Sequence, residues 1–512
     1  MFKKNILKSY ISVILNINRE EKKQSFLLAI LILFLIVLEL FSLALFLPLI
    51  TIIVSDSIGF FEGYNFFFND WTKINKIILF LMFIVIIFII KNLLNAYVSY
   101  QKLMTLAKVQ VNFSSRMFYS ILTMPYEYHL NKNTSETLRN VNIQMEYIAV
   151  VENLINFIID LLILIGIVSL IFSQNLQVGL LIIFFVSMAF IITNKYFSEK
   201  FMNLGKLFNI HNKKYLQINL DTFSSIKEII LLAKQRFFYD IYKNNLNDQI
   251  HTQVKSNFFM ELPRLIIEVG VVIVSSIIVY LIFSKTNNSS DGLIQLSFMI
   301  ALIFKSLPSI NKCIFAMNNL SNKLPIIHIT NSLIQKFPEK IINKKINKIN
   351  FREFKAENVN FFYDNKNYIF KNLNFNFKEK DVIGIVGTSG SGKSTLIDIV
   401  SGFFKPNSGN LMINGQELSE QNVDSWRNCV SYISQKNFII GTNLKENIAF
   451  GEKENEIDYE KLEKVIRQAK IENLVKKKGG VDFEIKDDGK NLSGGQRQRI
   501  ILARALYRNS EI

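Results

Sequence analysis

The sequence predicts a membrane-spanning all-α domain followed by an α/β domain. Half of the 512 residues are hydrophobic and the mean hydropathy is +0.23, which is high for a soluble chain of this size. The long apolar runs all lie before about residue 320, whereas the later residues alternate short β-like and helix-like runs. A chain of this length has room for two or three domains, so the change in composition marks a domain boundary.

Six apolar stretches define the first domain. Residues 1–24 are basic and mildly amphipathic, which predicts a segment that lies on the membrane surface before the first span. A helix that crosses the bilayer core needs about 20 predominantly apolar residues. Six stretches satisfy this requirement: 25–54, 76–98, 151–173, 177–196, 262–283 and 293–317. We therefore assign residues 25–320 to a transmembrane domain with six helices.

The polar segments between the spans predict the orientation. Three of them are short and contain few lysines, whereas 99–150 and 197–262 are long and rich in Lys and Arg. Basic loops stay on the cytoplasmic side, so both long segments and both termini are expected in the cytoplasm. Each long segment is predicted to form two helical extensions joined by a short turn, a coupling hairpin, near 124–140 and 221–238.

The net charge of +17 has a simpler explanation than nucleic-acid binding. Basic residues collect where a membrane protein needs them on its cytoplasmic side, and no basic stripe interleaved with aromatic residues is present. We therefore expect no nucleic-acid partner. The two cysteines, Cys313 and Cys429, lie far apart in the sequence and predict neither a disulfide framework nor a zinc site.

The second domain carries a phosphate-binding motif. Residues 321–350 are polar and rich in lysine, which predicts a linker, and residues 351–512 are assigned to a nucleotide-binding domain. The apolar run VIGIV (382–386) is predicted to be a buried parallel strand. It leads into GTSGSGKST and then into a helix-like run, which is the strand–loop–helix context that the pattern G-x-x-x-x-G-K-[ST] requires.

This loop, a P-loop, predicts binding of a nucleotide with Mg²⁺, but by itself it does not distinguish kinases, GTPases and motor ATPases. Its backbone N–H groups can surround phosphate oxygens, and the helix that follows presents the positive end of its dipole. Lys393 is expected to reach the β- and γ-phosphates, and the Ser394 hydroxyl is expected to hold Mg²⁺. The predicted ATP-binding residues in the loop are Gly387, Thr388, Ser389, Gly390, Ser391, Gly392, Lys393, Ser394 and Thr395.

Further motifs resemble those of ABC-transporter ATPases. LSGGQ resembles that family's signature motif and lies about a hundred residues after the P-loop, as in the family. The segment around Gln435 resembles the Q-loop region of ABC exporters, and Tyr363 stands where the family has its adenine-stacking aromatic residue. The signature residues are Leu492, Ser493, Gly494, Gly495 and Gln496. Six spans, a linker and such an ATPase form the layout of an exporter half-transporter.

The resemblance implies a mechanism. Tyr363 would stack on adenine, and Gln435 would contact Mg²⁺ or the attacking water as the catalytic residue in this part of the chain. The signature residues would act on ATP bound at the P-loop of a second subunit, so the resemblance implies a dimer. We expect a homodimer, and a heterodimer is the alternative. One departure is Lys486-Asp487-Asp488, which stands where exporters usually have a Gly-Glu pair.

The resemblance also implies motifs that are not among the 512 residues. The family continues after the signature helix with the Walker B strand, its catalytic Glu, and later a switch histidine. The four histidines, at 129, 211, 251 and 328, all precede the P-loop. We expect the 512-residue chain alone to be inactive as an ATPase, truncated before the Walker B strand. Two alternatives follow: an incomplete piece of a longer transporter, which we favour, or a genuinely truncated, non-enzymatic membrane protein.

Charged residues within the spans suggest the substrate. Ionisable side chains are costly inside a membrane, and four basic ones could form a cavity for an anionic phosphate or pyrophosphate group: Lys91, Arg264, Lys305 and Lys312. The alternative is that these residues are structural. Arg264 could pair with Glu268 at i,i+4, Lys91 could pair with Asp160, and long basic side chains can snorkel to the membrane surface.

Several segments of the spans resemble the bacterial flippase that moves lipid-linked oligosaccharides for protein N-glycosylation. They include LELFSLALFLPLIT, IIKNLLNAYVSY, ELPRLIIEVGVV and LIFKSLPSINKC. In that family Lys91, Lys305 and Lys312 would be arginines, and lysine lacks the bidentate fork. The resemblance implies a multi-pass protein of the bacterial inner membrane with a cytoplasmic ATPase domain. Related exporters of lipid A, peptides or drugs share the architecture and remain the alternative.

Overall fold

The computed structural model describes residues 19–55, 72–130, 133–284, 289–334, 347–363, 367–435 and 438–512. The chain divides into two compact units. The first unit comprises Met1–Met124 and Lys132–Ile341, and the second comprises Pro125–Asn131 and Ile342–Ile512. The N-terminal segment expected on the membrane surface lies outside the described residues, apart from its last few positions, which begin the first helix.

The described part of the chain before residue 335 is helical. Its helices are α1 (Arg19–Ala44), α2 (Phe46–Ser55), α3 (Lys73–Leu122), α4 (Tyr126–Leu130), α5 (Thr134–Gln174), α6 (Leu176–Ser224), α7 (Ile226–Leu231), α8 (Gln235–Phe283) and α9 (Ser289–Ile334). Helices α4 and α7 are short and lie where each long polar segment turns back. Prolines interrupt the hydrogen-bond ladders of α8 and α9, which membrane helices tolerate where neighbouring groups take up the freed carbonyls.

Six helical segments among the described residues are long and apolar enough to cross a membrane. They are Lys23–Ser55, Lys73–Leu122, Thr134–Gln174, Leu176–Ser224, Gln235–Phe283 and Gly292–Leu333. The predicted fold class, six apolar helices followed by an ATPase-type domain, is confirmed. Many large apolar side chains on these helices, such as Phe26, Leu93 and Phe184, point away from the rest of the chain, as expected of surfaces in contact with lipid.

The helices extend well beyond the length that a bilayer requires. Helix α3 has 50 residues and is therefore about 75 Å long, at 1.5 Å per residue, whereas the hydrocarbon core is about 30 Å thick. The apolar first half of α3 can span the membrane, and the polar second half, after about residue 100, continues outside it. Helices α6 and α8 have the same two-part composition.

A glycine allows α6 and α9 to approach each other closely. A Cβ atom at Gly205 would overlap the main-chain carbonyl oxygen of Asn322, and small residues at such crossings are how membrane helices pack. We expect Gly205→Leu to force the helices apart at a cost of about 1–3 kcal/mol. A lower midpoint of heat-induced aggregation in detergent should report this. Lys206→Leu, at the adjacent exposed position, is the control and should leave the midpoint unchanged.

The second unit is built around an antiparallel sheet. Its strands are β1 (Glu353–Phe361), β2 (Phe370–Lys378), β3 (Ser408–Ile413) and β4 (Gln416–Glu417), in the order β2-β1-β3-β4. All three pairings are antiparallel. The helices are α10 (Lys393–Val400), α11 (Val423–Cys429), α12 (Leu444–Ile448), α13 (Tyr459–Gln468), α14 (Glu472–Lys477) and α15 (Gly494–Arg508).

Two hydrophobic cores stabilise this unit. One lies beneath the sheet, where Trp426 is fully buried and stacks on Phe354 with 5.4 Å between ring centroids. The other packs α12, α13 and α14 against α15, around the fully buried Ile500. The short helix α4 belongs to the same unit, because its Tyr126 ring lies 5.2 Å from the ring of Phe403.

Two predictions of local structure differ from the observed elements. The linker expected over 321–350 begins later, because α9 continues to Ile334 with its apolar side chains buried against other helices. The run 382–386 forms no strand among the described residues, and its Val382 and Val386 side chains are 100% and 92% exposed. A parallel strand is stabilised by neighbours at its edges and by layers on its faces, and no described segment covers this run.

Candidate functional site

The P-loop residues form a loop that leads directly into a helix. Gly390 and Gly392 have φ values of +84° and +92°, which lie in the left-handed region where glycine is unstrained. A Cβ at Gly392 would come within 2.7 Å of the Ile369 side chain, so this position excludes a larger residue. Helix α10 begins at Lys393, immediately after this glycine. The local sequence therefore builds the turn that directs helix N–H groups towards the loop.

The side chain of Lys393 reaches back across the P-loop to its first residues. Its Nζ donates to the carbonyl oxygens of Gly387 at 2.8 Å and Thr388 at 2.7 Å. Both acceptors belong to the loop itself, so the amine lies where the loop curves around a potential phosphate position. A phosphate group offers stronger, charged acceptors than these carbonyls, and Lys393 can exchange one set for the other.

The structure places Tyr363 beside the P-loop. Its hydroxyl shares a hydrogen bond with Thr395 Oγ1, with 3.1 Å between the oxygens. Edge-on contacts with Phe361 and Phe404, at centroid distances of 5.1 and 5.5 Å, fix the ring. The residue is 58% exposed, which leaves room for a planar base beside the ring. Its stacking on adenine remains a prediction.

Gln435 is exposed, and no hydrogen bond described in the structure joins it to the P-loop. The segment before it does lie near α10. The Tyr432 ring contacts Phe403 at 5.6 Å, and burial together with the nearby Asp398 carboxylate raises the pKa of Tyr432. Burial also raises the pKa of Asp398, on α10. The expected role of Gln435 therefore remains a prediction.

The signature residues lie at the N-terminus of α15. Ser493 caps the helix, because its Oγ accepts from Gln496 N while Gln496 Oε1 accepts from Ser493 N. This capping box satisfies two groups that a helix start leaves unpaired. Leu492 is buried, whereas Ser493, Gly494 and Gly495 are exposed. The helix start is therefore accessible to a second subunit. The segment Lys486-Asp487-Asp488, which differs from the usual exporter sequence, precedes this helix. The side chain of its Asp487 is not among those that the structure describes.

The residues present fit ATP with Mg²⁺. The left-handed glycines and the helix start provide backbone N–H donors, Lys393 provides a mobile cation, and the exposed Ser394 provides a hydroxyl oxygen. Hydroxyl and phosphate oxygens are the ligands that Mg²⁺ prefers. Bound Mg²⁺ would neutralise charge on the β- and γ-phosphates. Among the described residues, Lys393 and Ser394 are the side chains that would hold the nucleotide's phosphates and its metal ion.

A second candidate site is a cavity of about 760 Å³ within the helices of the first unit. All four basic residues predicted to bind the substrate line it: Lys91, Arg264, Lys305 and Lys312. The wall also includes one further lysine, three carboxylates and five asparagines: Lys102, Glu39, Asp160, Glu261, Asn92, Asn95, Asn153, Asn156 and Asn311. Five basic and three acidic side chains give the wall a formal excess of two positive charges.

The basic residues of the cavity are partly neutralised by carboxylates. Glu39 pairs with both Lys91 and Lys305. Arg264 Nε lies 3.0 Å from Glu268 Oε1, which is the i,i+4 pair considered from the sequence. Lys312 Nζ lies 4.0 Å from Asp160 Oδ1. The other suggested pair, Lys91 with Asp160, was wrong, because α1 brings Glu39 to Lys91 instead.

Sequence reasoning missed two charged residues of the cavity, Lys102 and Glu261. Lys102 donates to Asn156 Oδ1 at 2.9 Å, and both residues line the wall. Each missed residue lies just outside a predicted span, 76–98 or 262–283. Both were therefore assigned to the polar segments outside the membrane and were not considered as cavity residues. Helices α3 and α8 continue through these positions without a break. A sequence pattern that predicts how far each helix continues beyond the membrane could have identified them. Hydropathy could not, because it reports only the apolar part of the helix.

Comparisons with known families match both units. Residues 24–307, more than half of the chain, match the family described as the ABC transporter transmembrane region. Residues 370–512 match the family described as ABC transporter, which includes the P-loop and the signature residues.

Several curated proteins are similar to this chain. ABC transporter B family member 1 of Dictyostelium discoideum is 23% identical over 448 residues, covering 84% of this chain and 48% of that protein. An ATP-dependent lipid A-core flippase of Cupriavidus pinatubonensis is 37% identical over 26% of this chain and 23% of its own length. The chain therefore spans about half of the first relative and about a quarter of the second. A lipid A-core flippase of Photorhabdus laumondii is 26% identical over 79% of this chain and 70% of its own length.

The fold is similar to that of a bacterial Atm1-family ABC exporter solved with ATP bound. The TM-score is 0.79 at 16% sequence identity, covering 96% of this chain and 84% of the solved chain. At this level of identity the comparison concerns the fold alone.

Proposed function

Because the chain belongs to the ABC transporter family, we propose that it is a half-transporter that couples ATP binding and hydrolysis to the movement of an anionic lipid. The substrate we propose is a lipid-linked oligosaccharide with a pyrophosphate group, moved across the bacterial inner membrane. The proposal rests on one observation above all, the cavity between membrane-spanning helices that carries an excess of positive charge.

The nucleotide site supports the ATP-driven part of the proposal. Tyr363 contacts Thr395 at the helix end of the P-loop, and the Lys393 amine reaches the carbonyl of Gly387 at its start. We propose that the first contacts the base and the second the phosphates. The exposed signature residues at the start of α15 would complete the site of a second subunit. We therefore propose a homodimer in which each ATP lies between one P-loop and the partner's signature helix. Gln435 would contact Mg²⁺ or the attacking water.

The cavity supports the substrate class. Cationic side chains within a membrane domain are costly unless they pair or serve a function. Here five of them line one space, and two of these, Lys91 and Lys305, share the single carboxylate of Glu39. Amines and a guanidinium suit phosphate oxygens, and the asparagine side chains can donate to and accept from sugar hydroxyls. Apolar residues such as Ile32, Leu35 and Val98 complete the wall. A head group with pyrophosphate and neutral sugars fits this combination.

A second candidate is an exporter of another amphipathic substrate, such as lipid A, a peptide or a drug. Two of the similar proteins are named lipid A-core flippases, and one in Lactococcus lactis is named a multidrug resistance transporter. Lipid A-core also carries anionic groups. The charge of the cavity therefore distinguishes an anionic lipid from a cationic drug, but it distinguishes poorly between the two anionic lipids.

Removing a cavity cation should weaken binding of a pyrophosphate lipid. We expect Lys305→Met to raise the Kd for a polyprenyl pyrophosphate by about tenfold or more, because a charge-assisted hydrogen bond contributes roughly 1.5–3 kcal/mol. Binding of the neutral polyprenol of equal chain length should change little. The measurement is an equilibrium lipid-binding titration of the purified chain in detergent, repeated with lipid A-core and with a cationic drug.

Lys213→Met is the matched control. The Lys213 side chain is 40% exposed and its amine lies 2.7 Å from a carboxylate, while Lys305 is 38% exposed with its partner at 2.6 Å, but Lys213 does not line the cavity. The control should bind like the parent. Preference of the parent for a cationic drug over every anionic lipid would contradict the proposed substrate class and favour a drug exporter.

A further inference from the structure

One carboxylate joins two of the cavity's lysines. Glu39 on α1 lies with Oε2 3.2 Å from Lys91 Nζ on α3 and with Oε1 2.6 Å from Lys305 Nζ on α9. The side chains of Glu39 and Lys91 are 15% and 6% exposed, whereas that of Lys305 is 38% exposed. Three separate helices thus contribute one charged group each to a single cluster at the cavity wall.

Both oxygens of Glu39 are used in this cluster. A carboxylate in a low-dielectric region is strongly destabilised unless it is paired, and two amines provide that pairing. The ring of Phe88 adds a contact to Lys91, whose Nζ lies 4.3 Å from the ring centroid. The cluster retains one positive charge, and the Lys305 side chain, which is partly exposed, lines the cavity.

A phosphate group entering the cavity needs the same two amines. It cannot approach Lys91 and Lys305 closely while Glu39 holds both, because two anions at contact distance repel each other strongly in a medium of low dielectric constant. The carboxylate has to give up at least one amine before the phosphate is fully coordinated. The free energy needed to displace Glu39 therefore reduces the affinity of the two lysines for the substrate.

We infer that Glu39 is an internal anion that occupies the phosphate-binding amines of the empty cavity and competes with the substrate for them. This inference rests on the proposed function, since it assumes an anionic substrate, and it adds a residue that sets substrate affinity. A weak internal competitor suits a transporter, because a substrate held too tightly by free lysines would be released slowly. Return of Glu39 to Lys305 and Lys91 would assist that release.

A purely organising role makes the opposite prediction. If Glu39 served only to hold the two amines in place, its removal would scatter them and weaken binding of the pyrophosphate lipid. If Glu39 competes with the substrate, its neutralisation should strengthen binding. The sign of the change in Kd therefore distinguishes the two roles.

The test is Glu39→Gln in the full 512-residue chain, purified in detergent. The probes are a polyprenyl pyrophosphate, the polyprenol of equal length, and inorganic pyrophosphate, each in an equilibrium binding titration. We expect the variant to bind the polyprenyl pyrophosphate about five- to tenfold more tightly, because a competing like charge has been removed, and to bind the polyprenol unchanged. An equal gain in affinity for inorganic pyrophosphate would show that Glu39 competes with the phosphate groups alone. A gain in affinity for the pyrophosphate lipid but not for inorganic pyrophosphate would show that the competition also needs the lipid chain to hold the phosphates in the cavity.

Glu136→Gln is the matched control. Its side chain is 18% exposed and pairs with a lysine on another helix at 2.7 Å, but it lies outside the cavity wall. It should leave the affinity for all three probes unchanged. Should Glu39→Gln fail to yield folded protein, Glu39→Asp keeps the charge and withdraws the carboxylate by one methylene. It should then tighten binding in the same direction, by a smaller factor.

The outcomes separate the inference from the function on which it rests. If the parent prefers the pyrophosphate lipid to the polyprenol and the Glu39 variant binds it equally or more weakly, Glu39 does not compete and the inference is overturned, while the proposed substrate class stands. If neither the parent nor the variant prefers the pyrophosphate lipid, the proposed substrate class and the inference both fail. Tightening in Glu136→Gln as well would show a general effect of charge and would also overturn the inference.

Discussion

Replacing Lys393 by alanine should severely weaken ATP binding. The amine now donates to two loop carbonyls and would donate to the β- and γ-phosphates in the bound state. Charge-assisted hydrogen bonds contribute roughly 1.5–3 kcal/mol each, so losing this group should weaken binding by about a hundredfold or more. An equilibrium titration of the purified chain with a fluorescent ATP analogue and Mg²⁺ measures the change.

Lys405→Ala provides the control for this substitution. Lys405 is an exposed lysine in the loop that follows α10 and contributes the same charge to the domain. It should bind the analogue like the parent. Equal affinity in Lys393→Ala and the parent would contradict the assignment of the loop as the phosphate site. Equal weakening in both variants would instead indicate non-specific attraction of the anionic nucleotide to a basic protein.

Replacing Trp426 by alanine should unfold the sheet-containing core of the second unit at a much lower temperature. The indole is fully buried, stacks on Phe354, contacts the ring of Phe351, and donates from Nε1 to the Val400 carbonyl at 2.7 Å. Loss of a buried tryptophan costs about 3–5 kcal/mol, and the abandoned carbonyl adds to this. We expect the midpoint of unfolding of this core to fall by about 10 °C.

Cys429 is a built-in reporter for that unfolding. Its thiol is buried in the same core as Trp426, so a thiol reagent labels it only when the core opens. The measurement is the temperature midpoint of labelling in a Cys313→Ala background, which removes the other cysteine of the chain. Trp426→Phe is the control. It keeps a six-membered aromatic ring beside Phe354 but loses the N–H donor and the volume of the second indole ring. Its midpoint should therefore fall by several degrees, about 1–2 kcal/mol, and by less than that of Trp426→Ala.

An alanine variant that opens within about 2 °C of the parent would contradict this account of the core. It would mean that the contacts of the sheet with α10 and α11 persist without the indole. A large loss in Trp426→Phe as well would show that the second indole ring and its hydrogen bond with Val400 supply most of the stabilisation, and not the six-membered ring beside Phe354.

Patterns that are local in the chain can be predicted from the sequence. The six spans could be predicted because a lipid environment demands about 20 apolar residues per crossing, and composition alone meets or fails that demand. The P-loop could be predicted because glycines at fixed positions allow the left-handed turns seen at Gly390 and Gly392. The capping box of Ser493 and Gln496 is equally local, because two residues three positions apart define the start of α15.

Features that depend on neighbouring segments were predicted less well. The run 382–386 has the composition of a buried strand, but a strand requires hydrogen-bonding partners from elsewhere in a chain, and no described segment pairs with it. The end of the last membrane helix was placed too early, because the polar residues after Met317 lower the hydropathy while α9 continues to Ile334. Hydropathy reports the environment of a segment and not the length of its helix.

The sequence by itself determined the fold class, the order of the domains, the phosphate loop and the four basic residues that share one cavity. Only the tertiary structure decided which charges meet. The pairing of Glu39 with Lys91 and Lys305 depends on the rotation of three long helices about their axes, and residues this far apart in sequence carry no local signal for it. The contact of Tyr363 with Thr395 arises in the same way, because the fold of the sheet, and not the spacing of the motifs, brings that ring to the P-loop.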